Sequence, residues 1–259
     1  MLRYDDRGFS HSTGNFSTAT TADFASDAES ALAYLKTRKE INPRKIGLIG
    51  HSEGGMITSM VAARSKDVGF IVMLAGTSMR GDSILLLQNK LISEASGMPE
   101  DKIERGNEIN SKVYNKIINT TVSVSQQEII DLMTGLKAEL VEFTPNPDEL
   151  IKNTAGTLSS PWMQYFLRYD PAPALERVKC PVLAVNGSKD LQVPSKKNLE
   201  AINVALSKGG NKNITIKEYP GLNHLFQECT TGLPAEYATI EQTFSPEVLK
   251  DLGDWILAR

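Results

Sequence analysis

The sequence is short of the residues that several functions require. Only two of its 259 residues are cysteines, too few for a disulfide framework or a Cys-based zinc site. Its three histidines, His11, His51 and His224, are scattered, without the close ligand spacing that zinc centres use. Positive charge is not in excess: 28 Lys and Arg stand against 31 Asp and Glu, for a net charge of -3. That balance excludes the strongly basic footprint of a nucleic-acid binder, so no nucleic-acid partner is expected. Aromatic residues make up 7 %. No apolar run approaches the roughly 18 residues of a membrane span; the longest lies around Val68 to Ala75. The opening Met1-Leu2-Arg3-Tyr4-Asp5-Asp6 lacks the basic-then-apolar plan of a signal peptide. Cytoplasmic is therefore the default for the chain as given, with a secretion signal on a preceding segment left open.

What is present is an ordinary globular composition, 41 % hydrophobic and 23 % charged, which excludes extended disorder. Strand-like apolar runs closed by glycine alternate with helical patterns, the signature of βα units and a mostly parallel sheet. Four runs stand out: Lys45 to Gly50, Gly69 to Gly76, Pro181 to Gly187 and Ile214 to Tyr219. They are apolar on both faces, as strands covered by helices on each side should be. Leu2 to Asp6 also reads as a strand, one that the chain enters at its first residues. Phe24, Ala28, Ala31, Leu32 and Leu35 recur at helical spacing, with Thr20 and Asp23 resembling a capping box. Ser245-Pro246-Glu247 predicts a helix start, with Leu249, Leu252 and Ile256 as its buried stripe.

Residues 79–174 break this rhythm. They carry helical stretches and no convincing strand, including one helix opened by Ser125 with Glu128 as a capping box. The expected organisation is a core made of residues 1–78 and 175–259, with 79–174 inserted as a helical cap.

The chemistry concentrates at Gly50-His51-Ser52-Glu53-Gly54. The motif stands directly after a predicted strand and before a helical run from Met56 to Arg64, the context of a nucleophile elbow. Glycines flanking the serine relieve side-chain collisions in so sharp a turn, and the Ser52 hydroxyl then projects above the sheet. The backbone N–H of Glu53, at the positive end of the following helix, suits a developing oxyanion.

A serine hydroxyl is a weak nucleophile and needs a base and an orienting acid, in the chain order Ser, Asp or Glu, His. Asn186-Gly187-Ser188-Lys189-Asp190 leaves the carboxyl end of a predicted strand, which puts Asp190 on the same sheet edge as Ser52. Pro220-Gly221-Leu222-Asn223-His224 follows the last predicted strand, and His224 is the only histidine in the C-terminal half. The expected catalytic residues are Ser52, Asp190 and His224, with the Glu53 N–H as oxyanion donor.

Together these three motifs resemble the α/β-hydrolase superfamily, specifically its capped serine esterases and related acyl hydrolases. Tyr4-Asp5-Asp6-Arg7-Gly8, with Ser12 and Gly14 after it, also looks like the turn these enzymes carry after their fourth strand. The resemblance covers the chain outside the cap, and its motifs specify fold and reaction class rather than substrate. It implies an α/β fold: a mostly parallel sheet of the α/β-hydrolase type with a helical cap insertion. In the family three further strands precede the one matching Leu2 to Asp6, and the loop after the third carries a second oxyanion donor. The chain is therefore expected to be N-terminally truncated relative to the family. Either the Ser52 strand has an exposed edge that invites self-association, or the fourth and fifth strands pair directly.

The implied activity is hydrolysis of a small-molecule carboxylic ester through an acyl-enzyme, with no cofactor and no metal. A thioesterase or small-peptide hydrolase with the same triad, and a non-catalytic truncated remnant, are the alternatives. His51 is expected to pack beneath the elbow, because adjacent strand residues point to opposite faces, and His11 to lie on the surface. Cys180 and Cys229 are expected to be free thiols. Trp162, Met163, Tyr165, Phe166 and Tyr169 read equally as an acyl pocket or as the cap's own core.

Overall fold

The computed structural model describes all 259 residues. In chain order, α1 (Thr21–Lys36) leads to β1 (Gly47–His51), α2 (Glu53–Arg64) and β2 (Phe70–Leu74). Six helices follow: α3 (Gly81–Ala95), α4 (Glu100–Ile118), α5 (Gln126–Gly135), α6 (Lys137–Leu140), α7 (Pro147–Leu158) and α8 (Pro161–Arg168). The short α9 (Ala172–Leu175) then returns the chain to β3 (Val182–Gly187), α10 (Ser195–Lys208), β4 (Ile214–Tyr219) and α11 (Pro246–Leu257). Two compact units result. One comprises Met1–Tyr4, Ala22–Met79 and Asp170–Arg259; the other comprises Asp5–Thr21 and Arg80–Tyr169. No helix is long and apolar enough to cross a membrane.

The first unit holds a parallel sheet in the order β1-β2-β3-β4, so sequence order is spatial order. Helices α2, α9 and α10 pack together, α2 against β1 and β2 and α10 against β3 and β4. The cluster of Phe70, Val72, Leu74, Leu183 and Val185 takes in Val248 and Leu252 of α11, with Trp255 edge-on to Phe70. Central position decides burial. Every residue of β2 and β3 is buried, including Ile71, Val72 and Met73 with no exposed surface, and full burial of each such side chain contributes about 1.5–3 kcal/mol. The outer strands depart from the expected two-sided burial: Ile49 of β1 and Ile216 of β4 are 49 % and 37 % exposed.

Leu2 to Asp6 does not form the expected strand. An extended segment becomes a strand only by entering a hydrogen-bonded ladder, and the sheet consists of β1 to β4 alone, with β1 at its edge. Of the two alternatives, direct pairing of this segment with β1 is therefore not made, and β1 has an open edge. In α11 the buried stripe also differs from expectation. Leu249 is 56 % exposed and Val248 is buried beside Leu252, because the face meeting the sheet runs through 248, 252 and 255 at helical spacing. Ser245 occupies the N-cap position, but its side chain makes no capping bond.

The second unit is helical. Ser125 and Glu128 form the expected reciprocal capping box at the start of α5. Ile103, Ile109, Val113 and Ile117 of α4 and Ile129 and Met133 of α5 line the helices' inner faces. In α8, Met163, Phe166 and Leu167 are buried, whereas Trp162 and Tyr165 are half-buried. Gln164 of the same helix is buried, its amide bonded to both the N–H and the carbonyl of Val124. Arg168 donates to the carbonyls of Ile117, Thr120 and Val122, in the last turn of α4 and the chain just beyond it. Gly81 approaches Phe166 so closely that a Cβ would stand 1.9 Å from its carbonyl oxygen.

Both cysteines are free thiols. Burial pushes Cys180 up to about 11, so its reactive thiolate is scarce at neutral pH. Two predictions follow from this packing. Leu252→Ala should lose about 2–5 kcal/mol of stability and Leu249→Ala less than about 0.5 kcal/mol in urea titrations; equal losses would contradict the assigned stripe. In a Cys229→Ser chain, Cys180 should react with a chromogenic disulfide more slowly at pH 8 than free cysteine does, and accelerate as pH rises towards 11.

Candidate active site

The turn from β1 to α2 is as sharp as the motif implies. Ser52 sits at φ 55°, ψ −116°, a conformation that costs an ordinary residue on the order of 1–3 kcal/mol and persists only where surrounding structure imposes it. Its N–H bonds to the carbonyl of Leu74 at 2.8 Å, and its carbonyl accepts the N–H of Gly55 at 3.0 Å. The side chain stands at the N-cap position of α2 but makes no capping bond. Two glycines make the turn possible. A Cβ on Gly50 would lie 2.0 Å from the Gly54 carbonyl oxygen, and one on Gly55 would lie 2.6 Å from the Cα of Gly76. Gly54, expected to be sterically required, has open space around it; the helix crosses β2's exit at residue 55 instead. Glu53 opens α2, placing its backbone N–H at the positive end of the helix.

Asp190 and His224 are brought together. His224 Nδ1 lies 2.7 Å from Asp190 Oδ2, and both residues are buried. The other carboxylate oxygen, Oδ1, accepts the N–H groups of Gln192 and Val193, each at 2.8 Å. Those amides escaped the sequence reading, although an aspartate accepting the N–H two residues on is a recognisable turn device. Tyr237 also escaped it. Its hydroxyl accepts from the Gln192 side chain at 3.1 Å, and burial above all pushes its pKa up to about 12.

The loop bearing His224 is locked from within. Asn223, fully buried, accepts the N–H groups of Leu225 and Gln227 on its side-chain oxygen and bonds the Gln227 side chain as well. Gly187 leaves room for the loop to cross the end of β3: a Cβ there would be 2.2 Å from the Leu222 carbonyl oxygen. Lys189 donates to the carbonyls of Cys229 and Thr230, both at 2.9 Å, tying the Asp190 loop to the chain beyond His224.

Ser52, Asp190 and His224 thus follow the carboxyl ends of β1, β3 and β4 on one edge of a parallel sheet. His51 does not lie beneath the turn as expected. It is exposed on the face of β1 that it shares with Ile49, and its Nε2 reaches the His224 carbonyl at 2.8 Å. His11 is exposed, as expected of a surface histidine.

The comparisons with known proteins agree with this architecture. The family described as BAAT / Acyl-CoA thioester hydrolase C terminal matches residues 28–141. Esterase EstD of Thermotoga maritima is 27 % identical over 99 % of this chain and 53 % of its own length; the chain spans about half the length of this curated relative. Among solved structures, the monoacylglycerol lipase of Paleococcus ferrophilus shares 20 % identity, covering 95 % of this chain and 79 % of that one with a TM-score of 0.50. A bromoperoxidase from Bacillus anthracis shares 16 % over 99 % of this chain and 80 % of that one, also at 0.50. With its parallel sheet, its serine elbow and these similarities, the chain has an α/β-hydrolase fold.

Proposed function

We propose that the chain is a serine hydrolase that cleaves small carboxylic esters through an acyl-enzyme, with Ser52 as nucleophile, His224 as general base and Asp190 as its orienting acid. The observation that carries this reading is the buried Asp190–His224 hydrogen bond on the sheet edge where Ser52 is held at positive φ. A carboxylate only accepts, so the bond to Asp190 puts a hydrogen on His224 Nδ1 and leaves Nε2 with a lone pair for the serine proton. Ser52 Oγ attacks the ester carbonyl as Nε2 takes its proton, and Asp190 stabilises the resulting imidazolium. The Glu53 N–H receives the oxyanion, aided by the positive end of α2. The imidazolium then protonates the departing alkoxide, and the same base activates water to release the acid. Similarity to an esterase supports the ester as substrate class.

Thioester cleavage is the second reading, favoured by the match to a family whose description names acyl-CoA thioester hydrolases. The helical insertion 79–174 is proposed as a cap.

A fluorophosphonate probe should label the wild type and fail to label Ser52→Ala; equal labelling would remove Ser52 from the chemistry. Asp190→Asn should lower kcat for p-nitrophenyl acetate by on the order of 10⁴, because the amide favours the wrong imidazole tautomer. Comparing turnover of short p-nitrophenyl esters with that of acyl-CoA thioesters assigns the leaving group.

A further inference from the structure

We infer that His51 is a positioning residue for His224: its Nε2–H holds the His224 carbonyl while its ring braces the His224 imidazole, keeping the base in register with the strand that ends at Ser52. This rests on the triad reading proposed above.

His224 is carried by a loop, and loops move more than the strands they leave. Its bond to Asp190 fixes one ring nitrogen, a single point about which the imidazole can still swing. The second restraint comes from β1. His51 is the last residue of that strand and the one before Ser52, and its Nε2 lies 2.8 Å from the His224 carbonyl oxygen. Because a carbonyl only accepts, Nε2 must carry the hydrogen. The two imidazole rings stand 4.6 Å apart between centroids and are tilted by 50°. Phe226 in turn lies edge-on to the His51 ring, 6.3 Å between centroids. The base is therefore tied to the nucleophile's own strand through its backbone and supported on its ring, by a residue one peptide unit from the serine.

The charge state fits this task. Desolvation holds the His51 pKa below the ordinary histidine value, and the nearby His224 lowers it further, against the raising effects of the His224 carbonyl bond and of Asp190. A neutral His51 does not repel the imidazolium that forms on His224 during catalysis. His224 and Asp190 are the titratable groups acting on it.

The test compares His51→Ala, His51→Phe and His51→Gln in the full chain, with Ser52→Ala and His224→Ala as controls, using p-nitrophenyl acetate. Alanine removes both restraints, phenylalanine keeps a ring without a donor, and glutamine keeps a donor of similar reach. Loss of one hydrogen bond that orders the base should lower kcat about tenfold in the Ala and Phe variants, with KM changed less than about twofold. Glutamine should recover most of that loss. The downfield proton resonance of the Asp190–His224 hydrogen bond should broaden in the Ala and Phe variants and sharpen again in Gln. The inference is overturned if Ala and Phe keep wild-type kcat while both controls are inactive. It is equally overturned if Gln loses as much kcat as Ala and melts at the same lowered temperature, since that is the behaviour of a purely structural residue. Turnover surviving in Ser52→Ala or His224→Ala would instead remove the triad reading, and this inference with it.

Discussion

Burying the carboxylate of Asp190 withdraws a charge from water, at a cost of several kcal/mol unless its lone pairs are met. The sheet edge is arranged to meet them. Oδ2 faces the His224 ring and Oδ1 takes two backbone N–H groups from the turn that immediately follows. Those amides are available only because β3 ends at Gly187 and the chain folds back within a few residues. The ring is available only because the loop after β4 crosses above Gly187. The glycine, the buried Asn223 and the chain's sharp reversal are thus conditions for holding one negative charge in a dry place.

How much of this is readable without coordinates differs from residue to residue. The four strands are legible because apolar runs ending in glycine have one good explanation in a βα sequence, and β4 runs from Ile214 to Tyr219 as read. The Asp190–His224 pairing is legible too, since chain order and position after a strand leave few candidates. Leu249 and Val248 show where reading stops. Both are apolar neighbours near the start of α11, and only the direction from which the sheet approaches decides which one is covered. Leu2 to Asp6 has the composition of a strand, but a strand is a relation between two segments, and composition describes only one. His51 differs from expectation for a related reason: alternation puts it on one face of β1 with Ile49, but whether that face is covered depends on what packs there, which the strand's own residues do not state.

The order of the sheet also explains its uneven covering. Strands β2 and β3 have a neighbour on either side and helices above and below, so every side chain is enclosed. Strands β1 and β4 bound the sheet and leave Ile49 and Ile216 partly in solvent. The turn bearing Ser52 therefore grows from a boundary strand, and its rigidity derives from what lies on one side: the Leu74 carbonyl, the close contact of Gly55 with Gly76, and α2 packed on β1 and β2. Strain at Ser52 is sustained by this one-sided support.

Lys189 gives the same edge a dynamic property. Its ammonium bridges from the residue before Asp190 to two carbonyls beyond His224, while the backbone N–H of Lys189 bonds the Leu222 carbonyl within the histidine loop. The acid's loop and the base's loop are thereby cross-braced on both sides of the imidazole. Thermal displacement of either one carries the other along, so the two would drift over the sheet as a single plate, with the separation of acid and base varying far less than the height of either loop above the strands.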